Sequence, residues 1–127
     1  MRLQESGEMY LETILILSQR GKGVRAVDVG EYMGFSKPSV SRAMGLLKNA
    51  GYVRLDENGF LVLTELGREV AGKTYERHQV LSAFFTDIGV DPVAAREDAC
   101  KVEHDLSQET FEALKAHAAN LGVITKR

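Results

Sequence analysis

Apolar residues recur at helical spacing through most of this chain and give way to a short strand-like stretch once, near its middle. Met9, Leu11, Ile14, Leu15, Ile16 and Leu17 make Glu8 to Gln19 a mostly buried helix, with Glu12, Thr13 and Gln19 on its margin. Gly21-Lys22-Gly23 ends it. A short amphipathic helix is predicted over Ala26 to Met33 and closes at Gly34. Ser36 has the side chain of an N-cap, and Pro38 falls in the following first turn, where its missing N–H costs nothing. The next helix therefore runs from Lys37 to Asn49, with Val40, Met44, Leu46 and Leu47 inward and Gly51 as its stop. Two short helices joined by a tight, glycine-containing turn are the helix-turn-helix pattern. Tyr52 to Leu55 and Phe60 to Leu63 are strand-like, and Asn58-Gly59 between them predicts a hairpin, which after such a helix pair is a wing. Thr64 caps a long helix to about Thr86, with Leu66, Val70, Val80, Leu81, Phe84 and Phe85 apolar and Gly67 and Gly72 as weak points. Asp91-Pro92 opens a helix to about Leu106, and Ser107 caps the last one, Gln108 to Leu121, ended by Gly122. Val123 to Arg127 reads as a frayed tail.

The predicted fold is mainly α. A winged helix-turn-helix lobe with a small two-stranded wing covers 1–73, and an all-helical lobe covers 74–127. The second lobe has apolar residues on several faces: Val80, Leu81, Phe84 and Phe85, then Val102 and Leu106, then Phe111, Leu114 and Leu121. A segment that small seldom buries so much alone, so a homodimer formed through it is expected. Of the 127 residues, 44% are hydrophobic and 27% charged, which places the chain among globular proteins and excludes a disordered one. No apolar run approaches the roughly 20 residues of a membrane span. The first residues lack an apolar signal core and the single cysteine cannot form an internal disulfide, so a reducing, cytoplasmic location is expected.

A net charge of −2 disfavours nucleic acid until it is divided along the chain. Residues 20–54 hold seven basic side chains (Arg20, Lys22, Arg25, Lys37, Arg42, Lys48 and Arg54) against only Asp28 and Glu31. Ser36, Lys37, Pro38, Ser39, Ser41 and Arg42 fill the first turns of the expected recognition helix, the end that meets base edges in the major groove. The hydroxyls reach bases or phosphates, Arg42 suits a bidentate contact to guanine, and Pro38 suits a thymine methyl. Lys48 and Arg54 are placed for phosphates. Asp56 and Glu57 at the wing tip argue against a strong wing contact to the backbone. Double-stranded DNA is the expected partner.

The second candidate chemistry is a metal site. On a helix reaching Leu106, Cys100, Glu103 and His104 fall at i, i+3 and i+4, presenting thiolate, carboxylate and imidazole on one face. Met9 and Glu12 share a face of the first helix and His78 lies midway along the long one, each ordinary as an isolated residue. His117 has no ligand-type neighbour at helical spacing and reads as solvated. Two other readings of the helical lobe compete: a regulator of small organic effectors, or one responding to oxidation of Cys100. An enzyme is not expected, because no oxyanion-hole loop or acidic dyad accompanies Cys100 and His104.

Glu8-Met9-Tyr10-Leu11-Glu12, the run Ser36 to Ser41, Leu63-Thr64-Glu65-Leu66-Gly67, Arg77-His78 and the run Ala99 to Ser107 together closely resemble the DtxR/MntR family of iron- and manganese-dependent repressors. The resemblance spans nearly the whole chain, in order. It implies a homodimeric winged-helix repressor that binds operator DNA when loaded with Fe(II) or Mn(II) and controls metal-uptake genes. By position, Met9, Cys100, Glu103 and His104 match the primary site of iron-responsive members, and Glu12 and His78 match a second site of manganese-responsive ones. The latter carry carboxylates where this chain has Met9 and Cys100. The iron members' ancillary site takes ligands where Ser82 and Arg96 stand here, and their SH3-like C-terminal domain is not expected in a chain of this length. Thioether and thiolate are softer than carboxylate, so Fe(II) is the expected metal, Mn(II) the next, and Zn(II), Co(II) or Ni(II) also bind in vitro. Ligands drawn from both lobes would tie the DNA-reading lobe to the dimerising one.

Overall fold

Six helices and one two-stranded antiparallel sheet make up the regular structure of residues 5–124, those described by the computed structural model: α1 (Glu5–Ser18), α2 (Ala26–Met33), α3 (Lys37–Asn49), β1 (Val53–Leu55), β2 (Leu61–Leu63), α4 (Glu65–Asp87), α5 (Pro92–Val102) and α6 (Gln108–Asn120). The chain forms two compact units, Met1–Lys73 and Thr74–Arg127, so the boundary falls inside α4.

In the first unit Leu11, Ile14, Val29 and Val40 are almost fully buried, with Met44, Leu47, Val53, Leu61 and Leu63 around them. α2 and α3 are brought together at Gly30, where an added Cβ would press at 3.3 Å on both the Phe35 carbonyl oxygen and Val40 Cγ2. Gly34, at φ +73°, makes the left-handed turn that a side chain would oppose. Ser36 caps α3 by accepting the Ser39 N–H at 3.4 Å, and Pro38 sits in the first turn. Leu46 departs from expectation. It is 63% exposed, because it faces away from the stripe formed by Val40, Met44 and Leu47. Leu66 is likewise exposed on α4.

β1 pairs with β2 in the register Val53↔Leu63, Arg54↔Val62 and Leu55↔Leu61. The turn is not the two-residue kind that Asn-Gly favours. Gly59 alone has positive φ there (+80°), and Asp56 organises the loop, its carboxylate accepting the Asn58 and Phe60 N–H groups, each at 2.9 Å. Leu61 N–H also donates to the Val24 carbonyl at 2.7 Å, fastening the wing to the α1–α2 connection. Thr64 caps α4, accepting the Gly67 N–H at 3.1 Å while donating to the Gly51 carbonyl at 2.6 Å. Gly67 then lies directly against the Tyr52 carbonyl oxygen, so the glycine that weakens α4 by propensity is the residue that lets α4 close on the wing.

In the second unit Val80, Phe111 and Ala118 form the buried cluster, with Phe84, Val123 and Ile124 packed on it. Val123 and Ile124 are thus part of the unit instead of a frayed tail, and the Val123 N–H donates to the Ala118 carbonyl at 3.0 Å. Residues 125–127 of the expected tail lie outside the described residues. Asp91 caps α5 through the Val93 N–H, and Ser107 caps α6 through the Thr110 N–H, both at 3.1 Å. α5 stops at Val102, four residues earlier than expected.

Candidate metal centre and nucleic-acid interface

The early end of α5 changes how the expected ligands are presented. Glu103 still has helical geometry (φ −57°, ψ −26°), its N–H donating to the Ala99 carbonyl at 2.9 Å, so Cys100 and Glu103 do share a face. Beyond it the chain tightens: Asp105 N–H turns back to the Val102 carbonyl at 3.0 Å, and Ser107 takes the extended backbone its cap requires (φ −68°, ψ 158°). His104 therefore lies in the turn that follows the helix.

Tertiary structure supplies a different neighbour. His78, on α4, puts Nδ1 at 3.0 Å from Glu103 Oε2, and one donor atom from each of His78, Cys100 and Glu103 lies within 4.8 Å of the others. His104 Nε2 stands 3.3 Å from the opposite oxygen, Glu103 Oε1, with its side chain only 2% exposed. Residue spacing groups Cys100 and Glu103 with His104, and the fold adds His78 at the other oxygen of the same carboxylate. Nothing in the periodicity could reveal this, because 25 residues separate His78 from Glu103. Met9 and Glu12 are on α1 in the first unit, Met9 half-buried and Glu12 buried. Ser82 lies on α4 and Arg96 on α5.

The donor set fits a divalent metal ion. Glu103 is 1% exposed, and its Oε1 accepts no hydrogen bond among the described residues. A buried carboxylate is costly in a low-dielectric interior, and a cation held with imidazole and thiolate would relieve that cost.

Arg77, next to His78, was legible only as part of a motif. Its Nη1 donates to the carbonyls of Glu103 (3.0 Å) and Leu106 (2.7 Å), its Nη2 to Gln108 Oε1 (3.0 Å), and its guanidinium lies 5.3 Å over the Phe111 ring.

On the first unit, Ser36, Lys37, Pro38, Ser39, Ser41 and Arg42 are all exposed at the N-terminal end of α3, as are Lys48 in its last turn and Arg54 on β1. Ser36 and Ser39 are already engaged with each other, hydroxyl to hydroxyl at 2.9 Å, whereas Lys37, Ser41 and Arg42 make no side-chain hydrogen bond among the described residues. Asp56 is half-buried and spent on its own loop, so Glu57 alone is an exposed acid at the wing tip. Arg25 lies 5.0 Å over the Phe60 ring, beside the wing.

A winged helix-turn-helix unit followed by a helical unit with a thiol–imidazole–carboxylate cluster defines a class of metal-responsive DNA-binding proteins. Comparison with known proteins agrees. Residues 2–61 match the profile "Iron dependent repressor, N-terminal DNA binding domain", and residues 64–123 match "Iron dependent repressor, metal binding and dimerisation domain". The chain is 34% identical to the transcriptional regulator MntR of Salmonella typhimurium over 89% of its own length and 72% of that protein's. It is 31% identical to the diphtheria toxin repressor of Corynebacterium diphtheriae, of which it spans half. The solved structure of the manganese regulator SloR superposes with a TM-score of 0.80 at 26% identity, over 93% of this chain and 54% of that one. The chain belongs to the DtxR/MntR family of metal-dependent transcriptional repressors.

Proposed function

We propose that the chain represses transcription of metal-homeostasis genes as a homodimer that binds operator DNA when loaded with Fe(II), Mn(II) being the next choice. The observation that carries this reading is the buried Glu103 carboxylate, set between two imidazoles and beside the only thiol of the chain. His78, Cys100 and Glu103 would hold the ion, and His104 is placed to share the second carboxylate oxygen. Met9 and Glu12 are the first unit's candidate ligands, on the strength of family resemblance. When bound, the ion would supply positive charge beside the buried Glu103 carboxylate, held by residues of α4 and of the end of α5.

Thiolate is the softest donor in the set and is poorly matched to Mn(II), which prefers oxygen. Cys100→Glu is accordingly expected to move the preference toward Mn(II), read as the ratio of Fe(II) to Mn(II) concentrations that half-saturate DNA binding. An unchanged ratio sinks the assignment of Cys100. DNA recognition rests on Ser41 and Arg42 at the start of α3, with Lys37, Lys48 and Arg54 on phosphates. Homodimerisation through the second unit is supported by the exposure of Ile88 (63%), Val93 (53%) and Leu121 (52%). Sedimentation of a monomer at micromolar concentration, with and without metal, would remove the dimer.

The deciding experiment is an anaerobic fluorescence-anisotropy titration of promoter DNA with apo protein, Fe(II), Mn(II) and excess chelator. DNA binding that requires metal and disappears with chelator supports the proposal. Metal and DNA affinities are reciprocally coupled, so operator DNA should tighten metal binding by the same factor. DNA affinity indifferent to metal would leave a winged-helix protein without this switch.

A further inference from the structure

We propose that Arg77 is the positioning residue of the metal centre, holding by its backbone the same glutamate that His78 meets by its side chain. The inference rests on the reading of His78, Cys100 and Glu103 as the metal site. Cys100 lies inside α5, where helical hydrogen bonds fix it; Glu103 is at the cap, and His104 is beyond it. The placement of Glu103 and His104 therefore depends on the turn 103–106, which has few helical bonds of its own. The Glu103 carbonyl is left over by the end of the helix, and the Leu106 carbonyl by the extended residue that follows it. One nitrogen of Arg77 takes both, at 3.0 and 2.7 Å.

The guanidinium is itself fixed on two further sides. Gln108, in the first turn of α6, accepts from Nη2, and Phe111, 2% exposed, lies under the plane. A planar cation so held cannot follow the turn if it moves, and the turn cannot open without breaking charge-assisted bonds. Arg77 and His78 are consecutive on α4, so a single helical turn grips Glu103 at its carbonyl and at its carboxylate. The consequence is a site whose ligand spacing is set before any ion arrives. Lysine cannot reproduce this, because a compact ammonium lacks the fork that binds the turn, the glutamine and the ring at once.

The test uses the full chain loaded with Co(II), whose thiolate charge-transfer and ligand-field bands report Cys100 and the coordination geometry separately. For Arg77→Gln, Co(II) affinity is expected to fall about 10- to 100-fold, as when other outer-sphere partners of metal ligands are removed, with altered ligand-field bands and an unchanged apo far-UV spectrum. Arg77→Lys should lose affinity too, by less, and decides the matter if the glutamine variant does not fold. Gln108→Ala, which spares both carbonyl contacts, should bind within a few-fold of the parent. Parental Co(II) affinity and bands in a folded Arg77→Lys protein, whatever its melting temperature, would overturn the proposal and make Arg77 a merely structural clamp. Absence of a thiolate band in the unsubstituted protein is a different failure, that of the metal site itself.

Discussion

Glu103→Gln is expected to abolish metal-dependent DNA binding while leaving the apo protein at least as stable as before. Glutamine preserves the shape and still offers an oxygen toward His78 Nδ1, 3.0 Å away in the parent. What it removes is a negative charge buried to 1% exposure, one of whose oxygens accepts no hydrogen bond among the described residues. Relief of an under-satisfied buried carboxylate is worth on the order of 1 kcal/mol or more to the apo fold. The same change withdraws an anionic group that reaches both imidazoles, and metal affinity should drop by on the order of 100-fold or more, beyond the loss typical of an outer-sphere substitution. Calorimetric melting in chelator and anisotropy titration with Fe(II) measure the two effects separately. A clear fall in apo melting temperature would show that the carboxylate is a structural partner first. Retained Fe(II)-dependent DNA binding would remove Glu103 from the site.

Gly67→Ala is expected to destabilise the first unit by about 2–3 kcal/mol, against a helix-propensity gain of about 1 kcal/mol that an open position would show. The added Cβ would overlap the Tyr52 carbonyl oxygen and press on Leu63 Cδ2 at 3.3 Å. That carbonyl cannot retreat freely, because it accepts the Thr64 N–H at 3.1 Å, at the residue that caps α4. Gly72→Ala provides the contrast. Nothing lies within 4 Å of its added Cβ, so it should stabilise by up to about 1 kcal/mol. Urea unfolding of the two variants measures both. Gly67→Ala equal in stability to Gly72→Ala would show that α4 does not need its close approach to the wing.

Much of this was legible in the residue pattern, where local chemistry decides the outcome. The caps Ser36, Asp91 and Ser107 each sit where a short polar side chain can satisfy the first free N–H groups of a helix, and α2 and α3 end where glycine permits a left-handed turn. Helix and strand periodicity placed the winged helix-turn-helix, and the Cys100–Glu103 spacing placed two candidate ligands on one turn.

Other features depend on groups distant in sequence. Leu46 looked inward by hydrophobicity, yet the direction of its helix face leaves it in solvent. α5 looked continuous to Leu106, yet the Asp105 N–H turns back to the Val102 carbonyl, Arg77, more than twenty residues upstream, holds the Glu103 and Leu106 carbonyls, and the Ser107 cap requires extended backbone. His104 lies in the turn beyond the helix and still reaches one oxygen of the carboxylate, while His78, from another helix, is brought to the other. Side-chain spacing along one helix is a local quantity with a fixed period, so the residues themselves specify it. Which side chain from another helix completes a site depends on packing and on where each helix stops, and only the tertiary structure decides that.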